Sequence, residues 1–188
     1  MPKEPLPVFV YHPDPLDTGS IVESDDVCLV CGRMRGYLYH GSVYGIRNQE
    51  IFNNICPWCI ADGSAHELYG VEFCSSVGLE GSDDWRSAPK EIRDYVSQRV
   101  PGFYAWQHED WWTHCSDVAM FLGHAGTKEL KERWPEVIPI IWEDIQQWGW
   151  DENYKKDFME YLHKNYGPTV YVFQCRHCRA FGAYWDCH

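Results

Sequence analysis

Three Cys-x-x-Cys pairs punctuate the chain, at Cys28/Cys31, Cys56/Cys59 and Cys175/Cys178, and they use six of its nine cysteines. A loop of this spacing turns two thiolates to one side while its backbone amides point at the sulfurs. Two such loops supply the four soft donors that tetrahedral zinc takes at about 2.3 Å. Cys28, Cys31, Cys56 and Cys59 are therefore expected to hold one zinc ion. The 24 residues between Cys31 and Cys56 leave room for a β-hairpin, and Pro57 sits where a helix carrying the second pair begins. Knuckle, hairpin and helix in that order make a treble-clef zinc finger.

A cysteine at a helix N-terminus also has redox uses, because unpaired amides and the helix dipole stabilise its thiolate. Chemistry of the thioredoxin type needs a βαβ framework, and no such pattern flanks Cys56. It would also leave Cys28 and Cys31 without a role.

The third pair, Cys175 and Cys178, needs two more donors. His114 and Cys115 are the best available, with His177 as a substitute, while Cys74 and Cys187 read as bystanders. The stretch "DWWTHCSDVAMFLG" has helical periodicity, with Trp111, Cys115, Val118, Ala119 and Leu122 on one face. Adjacent side chains on a helix diverge by about 100°, which argues against His114 and Cys115 sharing one ion. A buried Cys115 packed as a small apolar group, beside a hydrogen-bonded His114, is the competing reading. The same divergence argues against His114 as the base for a Cys115 nucleophile. With no phosphate-cradling glycine loop and no nucleophile elbow, no enzymatic activity is expected.

The elements that must position these groups read as α+β. Residues 7–12 alternate weakly and predict a short strand, and residues 37–44 have strand composition. A short helix follows Pro57, weakened by Gly63 and ended by Gly70, and a polar loop covers 73–82. Helices are predicted over 87–100, 110–123, 127–134, 140–147 and from Asp151 as cap to Gly167. Two strand-like runs flank Cys175 and Cys178. One compact domain is expected over 1–188. It comprises a zinc-finger-like part (1–75), a helical part (85–167) and a knuckle hairpin (168–188) returning to the zinc part, with N- and C-terminal strands sharing a small sheet.

Acids outnumber bases 28 to 16, for a formal charge of −12, so the net field repels phosphate backbones and anionic membranes and attracts cations. Four thiolates around a zinc dication would add further negative charge. Between residues 100 and 154 ten acids face only Lys128, Lys131 and Arg133. Within "WPEVIPIIWEDIQQWGWDENY" there are five acids and no Lys or Arg, interleaved with Trp134, Trp142, Trp148, Trp150 and Tyr154. Trp142 and Ile145 facing a core, with Glu143 and Asp144 in water, explains part of this run. It leaves "WGWDEN", which reads as a loop carrying two large rings. Acids that steer and rings that anchor suit a surface for a basic partner, made of Glu143, Asp144, Trp148, Trp150, Asp151 and Glu152. The N-terminus has no basic region followed by an apolar run, and no window approaches a bilayer span. A cytoplasmic location is expected, where cysteines stay reduced.

The stretches "YHPDPLDTGSIV", "CGRMRGYLYHGSVYG", "CPWCIADGSA", "PGFYAWQHEDWWTHCSDVAMFLG" and "YVFQCRHC" resemble, in that order, the bacterial CbrC family, also described as colicin-E tolerance proteins. The resemblance spans nearly the whole chain and is weakest over 124–167. Arg179 departs from it, standing where a glycine commonly follows the last knuckle. The resemblance implies protection against a bacteriocin-like toxin. The expected function is thus a zinc-binding acidic immunity or tolerance protein that covers the active or substrate-binding surface of a basic nuclease toxin encoded nearby. A zinc-finger module for nucleic acid, or a regulatory adaptor, is the alternative, and a metal- or thiol-dependent enzyme a second one.

Overall fold

The computed structural model describes residues 4–45, 53–74, 88–107 and 109–187. Among them the architecture is α+β, with three small antiparallel sheets and six α-helices. Strands β1 (Ile21–Glu23) and β2 (Tyr37–Tyr39) pair in the register Ile21↔Tyr39. Helices α1 (Pro57–Ala61) and α2 (Ser64–Tyr69) follow. Gly63, in the left-handed conformation, separates them, and Gly70 caps α2 in the same conformation. This is the interruption expected of the two glycines. Most of the polar loop expected over 73–82 lies outside the described residues.

Helix α3 (Lys90–Arg99) matches its expected position. The segment expected as a helix over 110–123 is instead a hairpin and a strand: β3 (Thr113–His114), β4 (Asp117–Val118) and β5 (Met120–Ala125). Cys115 and Ser116 both have positive φ, at 53° and 56°, and form the turn that reverses the chain. Tertiary pairing overrides the helical spacing here, because β5 finds an edge of β6 to bond to. Helices α4 (Thr127–Arg133), α5 (Ile138–Gln146) and α6 (Glu152–Tyr161) then pack together. Asp151 caps α6 by accepting from the N–H groups of Asn153 and Tyr154, and the helix ends six residues short of Gly167.

Strands β6 (Thr169–Gln174) and β7 (Phe181–Asp186) complete a sheet in the order β5-β6-β7. The N-terminal pair β1–β2 forms a separate sheet, so the expected sharing of one sheet by the two chain ends does not occur. Central β6 is covered on both faces, as its apolar run requires. Tyr171 and Phe173 pack with Phe103, Trp111 and Phe121 on one side. Val170 and Val172 meet Leu130, Ile141 and Ile145 of the helices on the other. A third core, with Ile21, Leu38, Ile55 and Ile60, surrounds the first cysteine cluster.

The strand expected over 7–12 is also absent. Pro5, Pro7 and Pro13 withhold ladder donors, and the segment ends in a turn closed by His12 N–H to Phe9 O. His12 is fully buried, donating from Nδ1 to Pro101 O and bonding Thr18 Oγ1 through Nε2, each at 2.8 Å. Burial pushes its pKa down to about 4, against the opposing pull of that carbonyl.

Candidate metal centres and an acidic groove

Cys28 and Cys31 lie in the loop joining β1 to β2, so the paired strands flank the knuckle. The hairpin was expected after it, between Cys31 and Cys56, where residues 46–52 fall outside those described. Cys28 N–H bonds Arg33 O and Gly32 N–H bonds Cys28 O, with Gly32 at φ 66°. Cys56 is the N-cap of α1 and Cys59 lies in its first turn. The four sulfurs lie within 4.8 Å of one another. Cys56–Cys59 is 3.5 Å, Cys31–Cys56 3.8 Å and Cys28–Cys59 3.9 Å. A tetrahedron with metal–sulfur bonds of 2.3 Å has edges of about 3.8 Å. The donor set and its spacing therefore suit a soft tetrahedral ion.

Hydrogen bonding with Cys56 and Cys59, larger than the opposing burial, holds Cys28 far below the usual thiol range, and Cys56 and Cys59 are pushed up in turn. A dication would deprotonate all four thiols. Arg35 lies over the Trp58 ring at 3.9 Å, placing a cation beside the cluster.

His114, Cys115, Cys175 and Cys178 form a second cluster with ligand atoms within 4.8 Å. His114 Nδ1 is 3.2 Å from Cys115 Sγ and 3.3 Å from Cys178 Sγ, and the two sulfurs are 3.9 Å apart. The divergence expected of adjacent helical residues fails because these two sit at a hairpin turn, where left-handed Cys115 swings its sulfur back to the imidazole. The four donors named for the third pair thus lie together, and the helical divergence that told against adjacent ligands does not apply. Burial opposes ionisation of Cys175, but the N–H groups of Cys178 and His177 outweigh it and bring its pKa down to about 6. Desolvation and its neighbouring thiols push Cys115 up to about 11.

His177 is not in the cluster. Its Nε2 bonds Asp117 Oδ2 at 2.8 Å, and Arg176 donates to the same oxygen at 3.0 Å. Tyr11 donates to the other carboxylate oxygen at 2.9 Å. The buried Asp117 therefore ties the knuckle to the β3–β4 hairpin. Cys74 is buried in the middle core, and its thiol is pushed well up by desolvation.

Next to this cluster opens a groove of about 820 Å³ between β7, the α5–α6 loop, α6 and the segment before β3. Trp148, Trp150 and Trp185 pack at ring centroid separations of 5.3, 5.5 and 6.2 Å. That leaves no space for a ligand between them, so they form a ledge in which Trp150 and Trp185 also rest on Phe158 and Trp148 is the exposed member. Trp148 and Tyr154 are 48% and 53% exposed. Trp112 also lines the groove and stacks on His114 at 5.0 Å, with 20° between the planes. The carboxylates in the wall are Asp110, Asp144 and Asp186, and no Lys or Arg is among the described residues that line it. Trp185 Nε1 donates to Asp144 Oδ2 at 2.8 Å, while Asp186 accepts from Tyr171 Oη and Gln107 N.

Of the residues expected to meet a partner, Asp144, Trp148 and Trp150 line the groove. Glu143 is exposed outside it, Asp151 is used as a helix cap, and Glu152 pairs with Lys155. Trp112, Tyr184 and Trp185 are contributed by segments remote in sequence. The alternation of "FGAYWD" was the available sign that β7 presents a second face.

Among the described residues no helix is long and apolar enough to cross a membrane. No solved structure matches the chain significantly. The profile of an uncharacterised protein family, UPF0167, matches residues 6–187. The UPF0167 protein Mb2317 of Mycobacterium bovis is 36% identical over 181 residues, covering 96% of this chain and 93% of its own. The UPF0167 protein PA1536 of Pseudomonas aeruginosa is 36% identical over 174 residues, covering 93% of each chain. The assignment to CbrC by resemblance is corrected by these matches, which carry a different family name throughout. The chain belongs to the UPF0167 family.

Proposed function

We propose that this protein is a scaffold held by two zinc ions that binds a basic protein partner in its acidic, aromatic groove. Zinc suits both donor sets, four thiolates in one and three thiolates with an imidazole in the other. The second cysteine pair of the first cluster, at the start of α1, supports reading that cluster as a treble-clef-like finger. The observation that carries the binding role is the groove itself. The exposed indole of Trp148 and the part-buried indoles beside it share one wall with carboxylates and, among the described residues that line it, no Lys or Arg, on a chain of formal charge −12. Arginine and lysine side chains gain from both partners, stacking on indole and pairing with carboxylate. A basic nuclease domain of a bacterial toxin has this chemistry, and covering its substrate surface would neutralise it.

Titration with a hexa-arginine peptide, followed by tryptophan fluorescence, tests the groove. Binding is expected at low salt, weakening as salt rises, and Trp148→Ala should lower affinity at least about tenfold, the size of an aromatic anchor's loss. Absence of binding at low salt, or a Trp148→Ala protein that binds as well as wild type, overturns the reading.

A further inference from the structure

The two clusters differ in what can reach them. In the first, Cys28, Cys56 and Cys59 are buried and only Cys31 is exposed. The sulfur 3.8 Å from Cys31 belongs to Cys56, which has no exposed surface. In the second, Cys115 and Cys178 are both exposed, with sulfurs 3.9 Å apart. An oxidant that meets either one finds a second accessible sulfur in contact with it.

We propose that Cys115 and Cys178 are an oxidation site at which hydrogen peroxide makes a disulfide and expels the second ion. This rests on the reading that both clusters hold zinc. In the first step one thiolate attacks a peroxide oxygen. The S–O bond forms, the O–O bond breaks, and the leaving hydroxide takes a proton to become water. In the second step the other thiolate attacks the sulfenic sulfur. The S–S bond forms and the S–O bond breaks, and that hydroxide also leaves as water. Two sulfurs are oxidised by two electrons in total and the two peroxide oxygens are reduced. The ion is left with Cys175 and His114, two donors where it needs four. Closure from 3.9 Å to a disulfide of about 2.05 Å falls on the exposed turn residue Cys115, at the tip of the β3–β4 hairpin, rather than on the strands behind it. The first cluster's nearest counterpart, Cys31 with Cys56 at 3.8 Å, offers an oxidant only one reachable sulfur, and its second member is fully buried at the start of α1, so oxidation there is the slower.

The test uses reduced, zinc-loaded full chain treated with hydrogen peroxide. Zinc release is followed by a chromophoric chelator, ions per chain by native mass spectrometry, and cross-links by peptide mapping. One of two ions should leave, with a Cys115–Cys178 disulfide in the peptide map, and reductant plus zinc should restore the starting mass. Cys178→Ser should form no such cross-link, and the wild-type map decides the matter if that variant misfolds. Both ions leaving together overturns the proposal, as does release accompanied by cross-links confined to other cysteines. So does full retention at peroxide levels that oxidise a free cysteine peptide. A reduced protein that binds fewer than two ions before any oxidant is added overturns the zinc reading instead, and this proposal with it.

Discussion

The knuckles at Cys28–Cys31 and Cys175–Cys178 are built by the same backbone bonds but turn on different residues. Cys28 N–H reaches Arg33 O and Gly32 N–H reaches Cys28 O; Cys175 N–H reaches Ala180 O and Arg179 N–H reaches Cys175 O. Gly32 sits at φ 66° and Arg179 at 65°. A glycine is the unstrained choice there, yet the arginine knuckle adopts the same turn. The turn is thus dictated by its hydrogen bonds and by closure on the opposing ligands, and the residue at its corner only sets the cost. What separates the two centres is their surroundings. One is walled in by α1, α2 and a core of its own, and the other sits at the tip of a three-stranded sheet, beside a groove.

The most severe way to test that contrast is to remove one ligand from each centre. Cys56→Ser should abolish the folded state of the N-terminal part, since zinc bound by small fingers contributes about 10 kcal/mol or more to folding. Cys175→Ser should release only the second ion and free the β3–β4 hairpin, leaving the stack of Phe103 on Phe121 in place. Near-ultraviolet circular dichroism and thermal unfolding distinguish the two outcomes, and equal damage from both variants would break the comparison.

Acid offers a control outside both centres. The folded pKa of His12, about 4, lies below its ordinary value of 6.5, so the unfolded chain takes up the proton first. Its contribution is therefore complete above about pH 6.5 and is lost as pH falls toward 4, to a total of about 3 kcal/mol. The difference in unfolding free energy between wild type and His12→Gln across that window isolates this loss from any loss of metal, which both proteins share.

Gly182 sharpens the link between the second centre and the groove. A Cβ there would run into the Trp112 ring, the ring that stacks on His114. Gly182→Ala should cost about 1–3 kcal/mol and shift Trp112 fluorescence, while leaving the first cluster's ion in place. The smallest effects belong to the corners. Arg179→Gly should stabilise by about 1 kcal/mol, and Gly32→Ala, which meets nothing within 4 Å, should destabilise by a similar amount. Thermal melts of the two variants check the opposite signs.

The cysteine spacings made the first cluster legible and one half of the second, because Cys-x-x-Cys carries its meaning locally. The turn chemistry at Gly63, Gly70 and Asp151 was readable for the same reason. Residues 113–125 were misread because their apolar positions fit a helical stripe, while the strand they form is decided by β6, some fifty residues further on. The mistake spread to the site, since adjacency of His114 and Cys115 counts against shared ligation only on a helix. The groove was half legible. Trp148 and Trp150 stand out in an acidic run, but Trp112 and Trp185 reach it through a sheet that no local pattern announces.

The central claim is that two separate ions hold this fold, and counting them tests it most directly. Native mass spectrometry of protein purified under reducing conditions should show two zinc ions per chain, falling to one in Cys175→Ser. A wild-type mass with no metal, or a Cys175→Ser protein that still carries both ions, would contradict it.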